Sequence, residues 1–220
     1  RRMAVESLDL LQFHWWDYQD TSFLDALTYL SQLQDEGKIK HLGLTNFDTE
    51  HCKRILDYGI KVVSNQVQFS LIDRRPEVQM IQFCEEHNIQ LLTYGTLCGG
   101  LLSETYLGQP VPGGSALNTA SLSKYAQMVH VWGGWDLFQE LLVTLKSLGD
   151  KYGASIANVA VRYVLDRPTV AGVIIGARLG VSDHREENAR AFDFTLDGQD
   201  HERIEAVLRG ARDLYQLIGD

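Results

Sequence analysis

Short apolar runs alternate with longer amphipathic stretches along this chain. "SLDLLQFHW" (7–15) reads as a strand, and "TSFLDALTYLSQLQDEGK" follows it with Phe23, Leu27, Leu30 and Leu33 at helical spacing. Thr21 or Ser22 suits the cap of that helix and Gly37 its end. "IKHLGLTN" predicts a second strand, and "TEHCKRILDYG" a helix stopped by Gly59. "VVSNQVQFS" predicts a third strand, "PEVQMIQFCEEHN" a helix with Pro76 in its first turn, and "IQLLTYG" a fourth strand. Between Leu101 and Gly153 a Gly- and Pro-bearing loop around "GQPVPGGSALN" precedes a helix around "WDLFQELLVTLKSLGDKYG". "SIANVAVRYVLDRP" predicts a helix ended by Pro168, "VAGVIIGA" a fifth strand, "SDHREENARAF" a helix, and "QDHERIEAVLRGARDLYQLI" one terminal helix.

Strand followed by helix, repeated, predicts a mainly parallel sheet with crossover helices. Such units build either an open doubly wound sheet or a closed (β/α)8 barrel, and five strands are too few to close the barrel. Four of the five strands end in polar or aromatic groups: His14, Thr45 with Asn46, Asn65 with Gln66, and Tyr94. Barrel active sites are assembled at that end, from several strands. A Rossmann sheet would instead carry GxGxxG at a strand-to-helix turn, which "YGTLCGG" does not match, and GxxxxGK[ST] is also absent.

Composition narrows the picture. The 220 residues suffice for one substantial core and are read as a single domain, 1–220; 45% are hydrophobic and 22% charged, ordinary for a globular chain. A net charge of −9 argues against nucleic-acid and anionic-membrane partners, so any anion must be held locally. Apolar runs such as Val170 to Ala177 are far shorter than the roughly 20 residues of a membrane span. "RRMAVESLDLLQF" shows no signal-peptide cleavage pattern. Three widely spaced cysteines, Cys52, Cys84 and Cys98, fit packed thiols in a reducing compartment, cytoplasm or organelle stroma, better than a disulfide framework.

Each chemical group has an ordinary reading beside a functional one. A strand-end histidine is most often a surface or core residue, and Asn46 suits a turn. Asn65 and Gln66 need partners for their amides within a buried strand, which a ligand amide would supply. Tyr94 either packs or stacks on a heterocycle. Trp15, Trp16, Trp132 and Trp135 are core or rim aromatics, or pocket walls. Gly99 and Gly100 are turn residues whose missing side chains also let backbone N–H groups approach an anion. Lys38 and Lys40 lie at the wrong strand end for Schiff-base chemistry, the seven histidines lack metal-ligand spacing so no metal is expected, and GxSxG is missing.

"DLLQFHWWD", "GKIKHLGLTNFD", "SNQVQFSLID", "LLTYGTLCGGLLSETYLG" and "VIIGARLGVSDHREENARAFDFTLD" together resemble the aldo-keto reductase superfamily over essentially the whole chain, with "FHWWD" and "TYGTLCGGLLSE" similar to a plant and microbial branch of oxidoreductases. The resemblance implies a (β/α)8 TIM barrel of which this chain holds strands corresponding to four through eight. It implies reversible, NADPH-dependent reduction of an aldehyde or ketone, with NADH as the alternative cofactor. His14 resembles the histidine that orients the substrate carbonyl. Thr45, Asn46 and Gln66 match positions that hold the nicotinamide carboxamide, and Tyr94 the ring that stacks on it. Gly95, Leu97, Gly99, Gly100 and Leu101 match the pyrophosphate loop, Arg178 the basic position near the adenosine 2′-phosphate, and Glu187 with Asn188 the adenine contacts. Trp15 would wall the substrate pocket.

Departures accompany the match. Thr45 and Gly95 stand where serine is common, and His184 where Arg or Gln is common. The family's proton-donor tyrosine, with its aspartate and lysine, precedes the histidine strand, and no residue here matches it; Tyr18 follows His14 too closely. "RRMAVES" reads as the end of a helix, so the chain is expected to begin in mid-fold. Two functions follow as expectations: the cofactor-binding part of a reductase acting on a small carbonyl compound, or a non-catalytic subunit or partial barrel that binds nucleotide or a partner chain covering its open face.

Overall fold

The computed structural model describes residues 4–114, 117–177, 180 and 183–220. The chain forms one parallel sheet of five strands in sequential order: β1 (Leu8–His14), β2 (Ile39–Thr45), β3 (Ser64–Gln68), β4 (Gln90–Tyr94) and β5 (Val170–Ile174). All five expected strands form. Every neighbouring pair is parallel, as βα repetition requires, and the strand order matches an arc of a barrel. Ala4 to Ser7 are not helical, against the expectation of a helix end there.

Helices α1 (Phe23–Asp35), α2 (Thr49–Asp57) and α3 (Met80–His87) connect the first four strands. Pro76 opens a separate 3-10 turn, Arg75–Glu77, and α3 begins only at Met80. The region read as loop before Leu122 is shorter than expected, because a helix, α4 (Ala120–Trp132), begins there; Thr119 caps it by accepting from the Leu122 N–H. Leu122, Tyr125, Val129 and Trp132 form its buried stripe, a period masked in the sequence by Ser121, Ser123 and Lys124. After it come α5 (Gly134–Tyr152), α6 (Ile156–Leu165), α7 (Arg185–Ala189), α8 (Gly198–Leu208) and α9 (Leu214–Ile218). The last two divide the expected single helix, where Asp213 accepts from the Tyr215 N–H and starts a new turn.

Alternation decides what each strand presents. Leu42 and Leu44 of β2 are fully buried with Phe23 and Leu27 of α1 and Ile55 of α2, and Leu11 and Phe13 of β1 pack against the same cluster. The residues between them, Gln12, His14, Gly43 and Thr45, therefore project from the opposite, concave face. β3 follows suit: Asn65 and Val67 face the helices, while Ser64, Gln66 and Gln68 face the concavity. A second cluster, with Phe138, Leu141, Leu145, Val159 and Tyr163, seats α4 to α6 and α8 against the far side.

Asn65 is fully buried, and its amide donates to the Phe47 carbonyl at 2.8 Å. The partner expected from a ligand is thus supplied by the loop after β2. Cys52, Cys84 and Cys98 are buried free thiols; burial pushes Cys84 and Cys98 up to about 12, which keeps them unreactive. Asn65→Ala strips the Phe47 carbonyl of its amide donor and is expected to cost about 2 kcal/mol, within the roughly 1–3 kcal/mol of an unsatisfied buried group. A urea melt of the variant measures it, and an unchanged midpoint contradicts the assignment.

Candidate functional site

The strand register carries three side chains to one level of the concave face. His14 pairs with Thr45 across β1 and β2, and Thr45 pairs with Gln66 across β2 and β3. One step further along, Gln68 pairs with Tyr94, and Tyr94 with Ile174. Gln66 donates from Nε2 to Gln12 Oε1 at 2.9 Å, so its own Oε1 is left to accept from a ligand. The ring beside His14 is Trp16, 87% exposed, with centroids 4.5 Å apart. Trp15 turns to the other side of the strand, where it stacks on Phe13 at 5.7 Å and donates its indole N–H to the carbonyls of Asp17 and Asp20.

Asn46 ends β2 in a left-handed backbone conformation, φ 60°, tolerable for asparagine and strained for most other residues. Three contacts hold it there. Its N–H donates to the Gln66 carbonyl at 2.8 Å, its carbonyl accepts from the Tyr18 hydroxyl at 2.5 Å, and its Oδ1 accepts from the Tyr94 hydroxyl at 2.9 Å. Tyr18 is itself clamped: its ring stacks on His51 at 4.3 Å, and Asp48 holds the His51 Nδ1 at 2.7 Å. Burial, with the Asp48 charge behind it, pushes the Tyr18 phenol well above its ordinary value, so it stays a neutral donor. Burial likewise raises Tyr94, against the opposing hydrogen bond to Asn46.

Beyond Tyr94 lies an open trench of about 560 Å³. Tyr94 to Leu97 with Gly99 and Gly100 form one wall, Ile174 to Ala177 the other, and Thr119, Ser121 and Tyr125 close it from α4. Gly95 is required twice: its φ is +70°, and a Cβ there would stand 2.1 Å from the Tyr125 hydroxyl. The Tyr125 hydroxyl thus occupies the space a side chain at position 95 would take. A Cβ on Gly100 or Gly176 would meet nothing within 4 Å, so these glycines face open space from the two walls. The trench volume falls within the roughly 300–1,000 Å³ of ordinary small-ligand pockets.

Not every expected residue reaches this trench. Leu101 is fully buried in the hydrophobic cluster beneath the loop and supports it from below. Glu187 is exposed on α7, where its carboxylate meets His184 Nδ1 at 3.1 Å and its carbonyl accepts from Asn158; neither it nor Asn188 lines the trench. Arg178 lies outside the described residues. Three groups the sequence reading passed over stand at the site instead: Gln12, Gln68 and Lys124. Gln12 and Gln68 are readable from the alternation of β1 and β3; Lys124 depends on α4, whose helical period Ser121, Ser123 and Lys124 mask in the sequence.

Residues 1–209 match the family model described as "Aldo/keto reductase family". The chain is a member of that family. Flagellar radial spoke protein 5 of Chlamydomonas reinhardtii is 30% identical over 181 residues, covering 73% of this chain and 34% of that protein. The NADH-specific methylglyoxal reductase of Escherichia coli is 24% identical over 208 residues, covering 91% and 59%. Among solved structures, an aldo/keto reductase from Klebsiella pneumoniae in complex with NADP and acetate superimposes with a TM-score of 0.67 at 20% identity, covering 94% of this chain and 61% of that one. The chain therefore spans between a third and three-fifths of the length of these relatives, and its fold is a five-strand portion of the (β/α)8 barrel. Among the described residues no helix is long and apolar enough to cross a membrane.

Tyr18→Phe keeps the stacked ring and deletes only the hydroxyl that holds the Asn46 carbonyl. It is expected to cost about 1 kcal/mol in urea denaturation and to speed amide exchange at Asn46. Unaltered exchange there would show that Asn46 holds its conformation without Tyr18.

Proposed function

We propose that this chain carries the cofactor-binding part of an NADP(H)-dependent carbonyl reductase, with NADH as the alternative cofactor and a small aldehyde or ketone as substrate. The observation that carries the reading is the alignment of His14, Thr45 and Gln66 on one level of the concave face, next to a tyrosine-headed trench. The local chemistry fits a nicotinamide carboxamide. Asn46 Oδ1 is committed to Tyr94, which leaves its amide N–H groups as donors, and Gln66 Oε1 is left as acceptor. A carboxamide needs one of each. Thr45 adds a hydroxyl between them, and Tyr94 offers a half-buried ring face as platform.

The wall from Gly95 to Gly100 would follow the pyrophosphate, with Leu97 lining it and Leu101 bracing it from the core. Arg178, Glu187 and Asn188 would serve the adenosine end. The bound cofactor supplies a hydride to the carbonyl carbon. His14 orients the carbonyl oxygen by hydrogen bonding, with Trp16 beside it as an exposed wall. The proton for the forming alcohol is the one requirement these residues leave open, since the Tyr18 hydroxyl is committed to the Asn46 carbonyl.

The concave face favours a second reading, a partner-binding subunit. Leu10 and Ile174 are 37% and 46% exposed there, and Gln12 Nε2 and Ser64 Oγ are buried without partners among the described residues. A monodisperse, stable monomer in size-exclusion chromatography with light scattering would speak against that reading.

The 220-residue chain is expected to bind NADPH, detected by quenching of tryptophan fluorescence, and Tyr94→Ala to weaken it at least tenfold. With an aldehyde added, NADPH oxidation should stay far below the roughly 10 s⁻¹ of a typical enzyme. Absence of binding would refute the cofactor assignment, and rapid turnover would refute the missing proton donor.

A further inference from the structure

Lys124 differs from most lysines of this acidic chain in what it contacts. Lys38, Lys40, Lys53, Lys146 and Lys151 each hold a carboxylate on the surface. Lys124 holds a neutral amide instead: its ammonium donates to Gln68 Oε1 at 2.5 Å, and among the described residues no carboxylate pairs with it. It lies 5.1 Å from the Tyr125 ring centroid and 5.9 Å from that of Tyr94, the two aromatics at the head of the trench. Burial pulls its proton affinity below the usual lysine range, opposed by the charge of Asp73. The residue is exposed on α4, so its charge is open to an anion arriving from solvent while Gln68 holds its head in place.

The rest of the network explains why Lys124 waits at that point. Asp73 is fully buried and doubly bonded to Arg75, at 2.8 and 2.9 Å, so its charge is already matched. Gln68 Nε2 donates to Asp73 Oδ2 at 2.6 Å, which fixes the amide and turns its oxygen toward α4. Gln68 thus aims the lysine without neutralising it. The trench, in turn, is lined among the described residues by uncharged groups only. One side offers space and no charge, and the other offers charge and no partner.

We propose that Lys124 is the anion-binding cation of the trench, leaving Gln68 to pair with a phosphate of a dinucleotide seated on Tyr94. The inference rests on the cofactor reading above and adds to it a residue from α4. Its α4 neighbours Ser121 and Tyr125 line the trench, and a flexible stem would let the ammonium swing toward it while the helix stays anchored by Leu122, Val129 and Trp132. The phosphate charge replaces the Gln68 amide oxygen as the stronger acceptor.

Titration of NADPH and, separately, of inorganic pyrophosphate against the wild type, Lys124→Gln and Lys124→Arg tests this, at low and at physiological salt. Lys124→Gln retains a donor for Gln68 but lacks the charge. It should bind both probes about tenfold more weakly at low salt, as expected for loss of one charge-assisted contact, and its affinity should fall less steeply with salt than the wild type's. Lys124→Arg should bind within about threefold of the wild type, and all three proteins should melt alike. Equal affinities and salt slopes for Lys124→Gln and wild type overturn the proposal. If NADPH fails to bind while pyrophosphate binds in a Lys124-dependent way, the cofactor reading falls and the anion site stands; if neither binds, both fall.

Discussion

The site depends on a parallel hydrogen-bond ladder whose strands end at the same level. Because side chains alternate along each strand, burying Phe13, Leu44 and Val67 against the helices obliges His14, Thr45 and Gln66 to point the other way. A one-residue slip between β1 and β2 would put His14 out of line with Thr45 and send hydrophobic groups into the concavity. The hydrophobic effect thus sets the register, and the register sets the chemistry.

Around that ladder the polar groups are wired to one another in a way that leaves particular atoms free. Gln66 spends its amide N–H on Gln12, Asn46 spends its oxygen on Tyr94, and Gln68 is held between Asp73 and Lys124. Each commitment is a protein contact; for Gln66 and Asn46 it leaves the complementary amide group available, whereas both ends of Gln68 are taken. Asn46 shows the cost of such preorganisation: a left-handed backbone at a non-glycine residue, maintained by a tyrosine that is in turn stacked on a histidine and steadied by an aspartate.

Helix α4 joins the two ends of this arrangement. Its first turn closes the trench through Thr119 and Ser121, its second places Lys124 and Tyr125 against Gln68 and Gly95, and its last buries Trp132 in the core. Tyr125 fills the space a side chain at position 95 would need, so the glycine after Tyr94 and the tyrosine on α4 are one structural unit. The tryptophans, which drew attention as a set, divide by role: Trp132 is core, Trp15 stacks with Phe13 at the helix side, Trp16 stands exposed by His14, and Trp135 donates to the Gln109 carbonyl.

The five strands, their parallel order and the strand-end group of His14, Thr45, Asn46, Gln66 and Tyr94 were legible from residues alone, because apolar period, turn residues and strand-terminal polarity are local signals. The break between α8 and α9 and the start of α4 were less legible, since capping by Asp213 and Thr119 competes with a continuous amphipathic pattern. What only the tertiary structure decided is which amides already have partners and that Lys124 is held by an amide in place of a carboxylate. Asn65 finds the Phe47 carbonyl, Gln66 finds Gln12 across 54 residues, and Lys124 finds Gln68 across 56. Such pairings join separate βα units, so no window of sequence contains both members; packing alone brings them together, and packing alone turned Trp15 away from the concave face that Trp16 shares with His14.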